Sequence, residues 1–372
     1  MDCLFVHDHV FLKYNNNYYS KGKLTYTTLS KYLDYCDSIT VVSRFKLVDG
    51  PPDEKYISCG PSVKIIGLPA PLSREGILDR TSILDVITSE IEDKDFLIAR
   101  LPSELGIISS DIARKLNKPY ITEVVASALD CLWHRGDILA KIYAPILEWR
   151  TKRVIRKASH VLYVTLDYLQ SRYPTTGLTV GCSDVEIESQ EFIKKSISHK
   201  KKIVLGVIAN PALKLKGIAS LVKALDFIDY SIELQIVGGS VDSFFELRMA
   251  SDYRIKQIGV IAEREQIYKW FTEIDIYIQP SFTEGLPRSI IEAMSFSIPI
   301  LGSNVGGIPE LAHPSMLFEP GNSMALAKMV NEIISDFDTY NNLNFYSWSQ
   351  AQKFTTVSKT RDDFFNLFIS SL

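Results

Sequence analysis

The 372-residue sequence predicts an α/β protein of two doubly wound, parallel-sheet domains that face each other across a cleft. Three observations predict it. Short apolar and β-branched runs recur without the alternation of a half-exposed strand, helix-spaced segments separate them, and the whole pattern restarts after a polar, lysine-rich stretch near the middle.

In chain order, the first half carries apolar runs at 3–6, 38–43, 63–68, 96–100, 119–125 and 160–165, with helix-spaced segments at 25–35, 102–117 and 138–157. These make a first domain over 1–185. Residues 186–202 have no apolar period and end in a lysine cluster, so they read as a linker, with Lys194, Lys195, Lys200, Lys201 and Lys202 solvating it. A second domain over 203–345 then takes strands at 203–208, 233–237, 257–261, 275–279 and 298–301. Its helices fall at 216–227, 241–252, 263–272, 287–296 and 322–336. Residues 346–372 hold Trp348, Phe354, Phe364, Phe365 and Phe368, too aromatic for a free tail, and are expected as helices packing back toward the first domain.

Composition narrows the function. With 41 basic against 44 acidic residues the net charge is −3, too near neutral for a general nucleic-acid binder, and no aromatics interleave the lysine cluster. Five cysteines without CxxC spacing argue against a disulfide framework and a zinc site, and point to a reducing, cytoplasmic setting. No leader peptide or spanning segment is expected.

The chemistry concentrates in PSFTEGLPRSIIEAMS, residues 280–295, directly after an expected strand. Gly285 lets the chain turn, Pro287 suits a first helical turn, and Leu286 sits between them. The N–H groups of Arg288 and Ser289 then open a helix whose positive end attracts a phosphate. Glu284 lies in the loop and Glu292 two turns along the helix, so the two carboxylates can touch different parts of one elongated ligand. Two readings of Glu292 stand side by side. Among Ile290, Ile291, Ala293 and Met294 it needs strong donors such as ribose hydroxyls; on a solvated face it would simply pair with Arg288, worth about 0.3–0.5 kcal/mol.

EGLPRSIIE resembles the E-x7-E signature of the family 4 glycosyltransferases, retaining enzymes with two Rossmann-like domains in the GT-B arrangement. The resemblance extends upstream through EIDIYIQPS and downstream through EAMSFSIPILGSNVGGIPEL and LFEPGN. It takes in IVLGVIANPALKLKGIASLVKAL and LQIVGGS as well, and so covers most of the second domain in order. In the first domain it is looser, through RLPSELGIIS, KPYITEVV and ASHVLYVTLDYLQSRYP.

The resemblance implies transfer of a sugar from a nucleoside diphosphate, of UDP or GDP type, to an acceptor hydroxyl. No cofactor or metal is implied beyond that donor substrate. Glu284 would hold donor-sugar hydroxyls, Glu292 the nucleotide ribose, and Lys216 the diphosphate, with the backbone around Arg288 and Ser289. The arginine usual after the glycine of the first C-terminal strand is missing after Gly206, which leaves its charge to Lys214 or Lys216. Ser297 stands where a glycine usually ends the signature helix. On the acceptor side, Asp130 and His134 are candidates to contact the reacting hydroxyl, and Gly22 marks the place of an acceptor loop; His7 and His9 follow the first strand toward the same end.

RTKRVIRK, residues 150–157, has five basic residues in eight after an apolar segment, which suits peripheral contact with anionic lipid at the inner face of the plasma membrane. A solvated helix is the competing reading. The expected acceptor is a carbohydrate or lipid-linked carbohydrate, as in polysaccharide assembly. The same architecture would also serve a sugar-nucleotide epimerase or a degenerate nucleotide-binding partner of an active transferase. A nicotinamide oxidoreductase is disfavoured because no G-x-G-x-x-G follows the first strand.

Overall fold

The computed structural model describes all residues except 22–23, 135–136, 189, 199, 240–253 and 262. It contains two sheets. The first is built from β1 (Asp2–Tyr14), β2 (Asn17–Tyr19), β3 (Ser38–Leu47), β4 (Val63–Leu68), β5 (Phe96–Leu101), β6 (Tyr120–Val124), β7 (His160–Tyr163) and β8 (Leu178–Gly181), in the order β4-β3-β1-β5-β6-β7-β8. Its ladder is parallel throughout, apart from β2, which folds back antiparallel on the end of β1. The second comprises β9 (Ile203–Ile208), β10 (Ile232–Val237), β11 (Ile255–Gly259), β12 (Ile276–Gln279), β13 (Ile300–Ser303) and β14 (Leu317–Phe318), in the parallel order β11-β10-β9-β12-β13-β14. The expected helix over 241–252 lies outside the described residues.

Uninterrupted apolar runs arise because both faces of each sheet are covered. In β1, Leu4 and Val6 join the core under helices Arg80–Asp93, Glu104–Lys115 and Ile138–Arg156, while Phe5 between them faces the other side. In the second sheet, Leu205, Leu234 and Ile276 pack with helices Ile218–Ala224 and Ser323–Ser335. Tyr277 turns to the opposite face with Phe271, Ile290 and Ile291. That last core is shared: it runs through Val185, Ile187, Ala351 and Phe354 into the first sheet's Phe5 and Ile98.

Several expectations change. β1 does not stop at residue 6 but bulges between Val6 and Val10 and continues to Tyr14, so His7 and His9 belong to the strand. His7 Nδ1 lies 3.1 Å from the Arg100 carbonyl, and burial pushes its pKa down to about 3. The stretch 186–202 has no helix or strand among its described residues, yet it is pinned rather than merely solvated. Ile187 and Ile197 are buried, and Lys195 Nζ donates to the carbonyls of Phe271 (2.8 Å) and Ile274, with burial lowering its pKa to about 8. Lys200 and Lys202 pair with Asp275 and Glu233.

The division expected at 345/346 falls inside one helix, Phe337–Ala351. Beyond it, the helix Val357–Ile369 lies on the first sheet: Phe365 stacks on Tyr35 at 4.1 Å, and Arg361 reaches Glu123 and Asp184, each at 3.3 Å. Ser297 adopts φ 58°, the left-handed conformation a glycine would take cheaply. Its hydroxyl accepts from Ile193 N at 3.2 Å and its carbonyl from Asn344 Nδ2, contacts that a helix-ending turn uses to hold both the linker segment and helix Phe337–Ala351.

Candidate active site

β12 ends in Gln279, and the loop 280–287 leads into the helix Arg288–Ser295. Because residues two apart on a strand share a face, Tyr277 and Gln279 stand in line. The Tyr277 hydroxyl donates to Gln279 Oε1 (3.2 Å) and accepts from Ile208 N (3.2 Å), and its burial raises its pKa. Gln279 Nε2, so oriented, donates to Ser281 Oγ and Glu284 Oε1, each at 2.9 Å. Ser281 Oγ donates to the same Glu284 oxygen at 2.7 Å.

Lys216 supplies the third donor to that oxygen, its Nζ at 2.6 Å. It ends the turn Lys214–Lys216, which Gly217 closes at φ 67°; a Cβ on Gly217 would lie 1.9 Å from the Pro280 carbonyl oxygen. Only glycine admits this approach of turn and loop, and the approach carries Lys216 to Glu284. Lys214, in the same turn, is exposed and does not line the cleft, so of the two lysines only Lys216 is brought there.

These groups border a cleft of about 560 Å³ lined by Val125 from the first domain and, from the second, by Ile208, Lys216, Arg264, Ile267, Gln279, Glu284, Leu286, Pro287, Arg288, Ser289 and Glu292. Gly285 serves a purpose other than turning. Its φ is not positive; instead a Cβ there would meet the Val125 carbonyl oxygen at 2.4 Å, so the missing side chain lets the loop rest against the end of β6. Pro287 holds the position before the helix rather than its first turn, and among the described residues no side chain caps the helix's N–H groups. The first-turn amides of Arg288 and Ser289 therefore present unshared positive charge at the cleft.

Glu292 is half-buried at the cleft wall, and its carboxylate makes no hydrogen bond or ion pair with a described residue, Arg288 acting on it only as a nearby charge. Burial raises its pKa above the usual carboxylate range, against the opposing charges of Arg288 and Arg264. The solvated Arg288–Glu292 pair is thus not formed, and the carboxylate keeps its acceptor capacity for a ligand.

On the facing side, His134 follows the helix Ala128–Trp133 and its ring lies 6.3 Å from that of Phe282, two residues before Glu284. Neither His134 nor Asp130 is among the residues that line the cleft. Asp130 accepts from the Tyr168 hydroxyl at 2.9 Å and faces Arg172 at 3.9 Å, a local arrangement within the first domain. Gly22 lies outside the described residues. Glu310 closes the two domains from the other edge: its carboxylate accepts from the N–H groups of Leu166 (2.6 Å), Tyr168 (2.7 Å) and Asp167 (3.2 Å).

Three cleft features were not assigned from sequence. Gln279 and Ser281 had a signal in their strand-end spacing from Glu284, whereas Arg264 opens an ordinary amphipathic helix, Arg264–Glu273, and nothing in its neighbourhood marks it. Arg264 lines the cleft that lacks the arginine expected after Gly206, its guanidinium 5.1 Å over the Tyr268 ring. Among the described residues no group of three or more His, Cys, Asp or Glu side chains is disposed to hold a metal ion. The arrangement can bind an extended anion, with cations and amides at its centre and an acceptor carboxylate at each end.

Residues 188–347 match the model of a family described as glycosyl transferases group 1. Protein CapJ of Staphylococcus aureus is 34% identical over 344 residues, which span 90% of this chain and 86% of CapJ. The N,N'-diacetylbacillosaminyl-diphospho-undecaprenol alpha-1,3-N-acetylgalactosaminyltransferase of Campylobacter jejuni is 25% identical over 157 residues, 41% of each chain. Anabaena Alr3699/HepE, solved in complex with UDP, shares the fold over the whole of both chains, with a TM-score of 0.67 at 18% identity.

Proposed function

This chain belongs to the glycosyl transferases group 1 family and has the two-domain GT-B fold of a glycosyltransferase, and from that premise we propose that it is a retaining, metal-independent enzyme of family 4 type. It moves a sugar from a UDP or GDP donor to a hydroxyl of a carbohydrate or lipid-linked carbohydrate acceptor, in polysaccharide or lipid-linked oligosaccharide assembly. The work is done in the cytoplasm at the inner face of the membrane that holds the acceptor. The diphospho-undecaprenol substrate named for the Campylobacter relative and the UDP held by the Anabaena fold neighbour support these substrate classes.

The observation that carries the reading is the Lys216–Glu284 pair at 2.6 Å beside an uncapped helix start, with the unpaired Glu292 two turns beyond Glu284. In this reading Glu292 accepts from ribose hydroxyls, and the amides of Arg288 and Ser289 with Lys216 hold the diphosphate. Glu284 orients the sugar hydroxyls next to the anomeric carbon, held in place by Gln279 and Ser281. Gly285, Leu286 and Pro287 shape the floor. As the glycosidic C–O bond breaks, negative charge grows on the departing phosphate, and fixed cations and amides stabilise it more than they do the ground state. Arg264 takes the place of the missing arginine as a second guanidinium along the cleft. On the acceptor side His134 and Asp130 remain the candidates to contact the reacting hydroxyl, Asp130 through a carboxylate that also accepts from Tyr168.

The test is a panel of UDP- and GDP-sugars with polyprenyl-diphosphate-linked saccharides as acceptors. Acceptor-dependent release of nucleoside diphosphate, a product with the donor's anomeric configuration, and indifference to EDTA are expected. Inversion at the anomeric carbon, abolition by EDTA, or isomerisation of the donor sugar without acceptor would overturn the proposal.

A further inference from the structure

We infer that the outer face of the helix Ile138–Arg156 is the surface by which this protein lies on an anionic lipid membrane. The inference deepens the proposed function by naming where a lipid-linked acceptor is met, and it rests on that reading only for the acceptor. At about 100° per residue, Ile138, Leu139, Ile142, Ile146 and Trp149 fall on one side of the helix. All five are 48% to 79% exposed, and Trp133 on the preceding helix is 48% exposed. From Ile138 to Trp149 the stripe runs about 16 Å at 1.5 Å per residue. Large side chains exposed in such a row mark an interaction surface, and tryptophan favours the lipid headgroup boundary.

Charge selects the partner. The helix has one acidic residue, Glu148, which is buried and accepts from Tyr173, Arg172 and Leu129. Asp137, just before it, caps Ala140 N. Along the helix itself the exposed charges are Lys141, Lys152, Arg156 and Lys157, all positive; among the described residues around the stripe the exposed acidic group is Asp137 at the helix start. Lys141 stands 6.0 Å over the Trp133 ring, and neither it nor Arg156 nor Lys157 pairs with a described carboxylate. A second copy meeting this patch about a two-fold axis would bring like charges together, whereas an anionic bilayer complements them. The segment 150–157, expected from sequence to make the contact, contributes less than its composition suggests. Arg150 turns inward to Glu104 and Tyr143, Arg153 pairs with Asp111, and Thr151, Val154 and Ile155 are buried. The contact therefore moves toward the N-terminal half of the helix, which begins four residues after His134, whose ring lies 6.3 Å from that of Phe282 in the loop before Glu284. An acceptor anchored in that membrane would present its head to the cleft mouth.

The experiment is flotation of the full chain with vesicles of phosphatidylcholine alone or with about 30 mol% phosphatidylglycerol, a probe for polybasic and amphipathic contacts. Wild type is expected on the anionic vesicles only, less so at high salt. The variant Ile142→Ser/Ile146→Ser/Trp149→Ser should lose about tenfold or more of this partition. Arg156→Glu/Lys157→Glu should lose several-fold. UDP affinity should stay that of wild type in both, and melting temperature should fall by no more than a few degrees, since the altered side chains are exposed and the charge reversal opposes the helix dipole only at the helix C-terminus. Absence of wild-type binding to anionic vesicles, equal binding by the triple variant, or a dimer that the triple variant disperses while vesicles are ignored would overturn the inference. Loss of UDP binding in wild type with vesicle binding intact would instead overturn the proposed donor chemistry.

Discussion

Replacing Lys216 by methionine keeps an apolar stem of similar length and removes the charge. In the free protein its Nζ lies 2.6 Å from Glu284 Oε1, the two side chains being 25% and 12% exposed. Removal leaves Glu284 with its donors from Ser281 and Gln279. A hydrogen bond to a charged group contributes about 1.5–3 kcal/mol, and partial exposure puts this pair at the lower end, about 1–2 kcal/mol. That is a fall of a few degrees in Tm. Loss of a donor aimed at charge growing in the transition state costs far more in rate, about 10²–10³ in kcat. The two effects separate in a cycle with Glu284→Gln. Each single variant removes the same pair, so the stability losses should not add, while turnover stays depressed in the double variant. Melting curves and initial rates of nucleoside diphosphate release read the two quantities. If Lys216→Met lowers Tm but leaves kcat/KM within about threefold of wild type, the lysine only braces Glu284 and its proposed role at the diphosphate is wrong.

Burial raises the Glu292 pKa, so its neutral form favours the folded state; that stability is complete below the ordinary carboxylate range and lost as pH rises through the folded value. Glu292→Gln should therefore melt higher than wild type at pH 8 but not at acid pH, and should bind UDP about ten- to a hundredfold more weakly by titration calorimetry. A Tm difference that is flat with pH would contradict the burial argument. Gly285→Ala forces a methyl to within 2.4 Å of the Val125 carbonyl oxygen, so the loop and β6 must part. A loss of about 1–3 kcal/mol in denaturant unfolding, with lower kcat/KM, is expected; wild-type values in both would refute the contact. Glu310→Ala removes the acceptor for three amides across the domain boundary, and hydrogen exchange at 166–168 should accelerate about tenfold. Unchanged protection there would show that the carboxylate holds nothing.

The doubly wound plan was legible because parallel strands buried on both faces leave unbroken apolar runs, as Val63–Leu68 and Ile203–Ile208 do with their expected bounds. The continuation of β1 was not, since HDHVFLKY holds polar and apolar residues at once: Phe11 is buried, while His7 is satisfied by a carbonyl on β5. Helix Arg80–Asp93 was not among the expected segments although Ile83, Ile87 and Ile91 recur at helical spacing, whereas helix Val357–Ile369 lay within the segment expected to pack as helices. In the cleft, the loop and helix of 280–295 announced themselves through Gly, Pro and the two carboxylates. What spacing could not tell was which of two nearby lysines points inward; the left-handed Gly217 decides that. Nor could it show that Asp130 spends its carboxylate on Tyr168 and Arg172, because those partners follow some 40 residues later in the chain. Lys195, Lys200 and Lys202 looked like solvation because their carbonyl and carboxylate partners belong to distant strands and helices, while Lys194 and Lys201 are exposed as expected.

A crystal of this protein soaked with UDP or GDP tests the central claim most directly. The account predicts diphosphate oxygens within hydrogen-bonding reach of the Arg288 and Ser289 amides and of Lys216 Nζ, with ribose hydroxyls on the Glu292 carboxylate. Density for the nucleotide away from these groups, with the Lys216–Glu284 pair untouched, would contradict it.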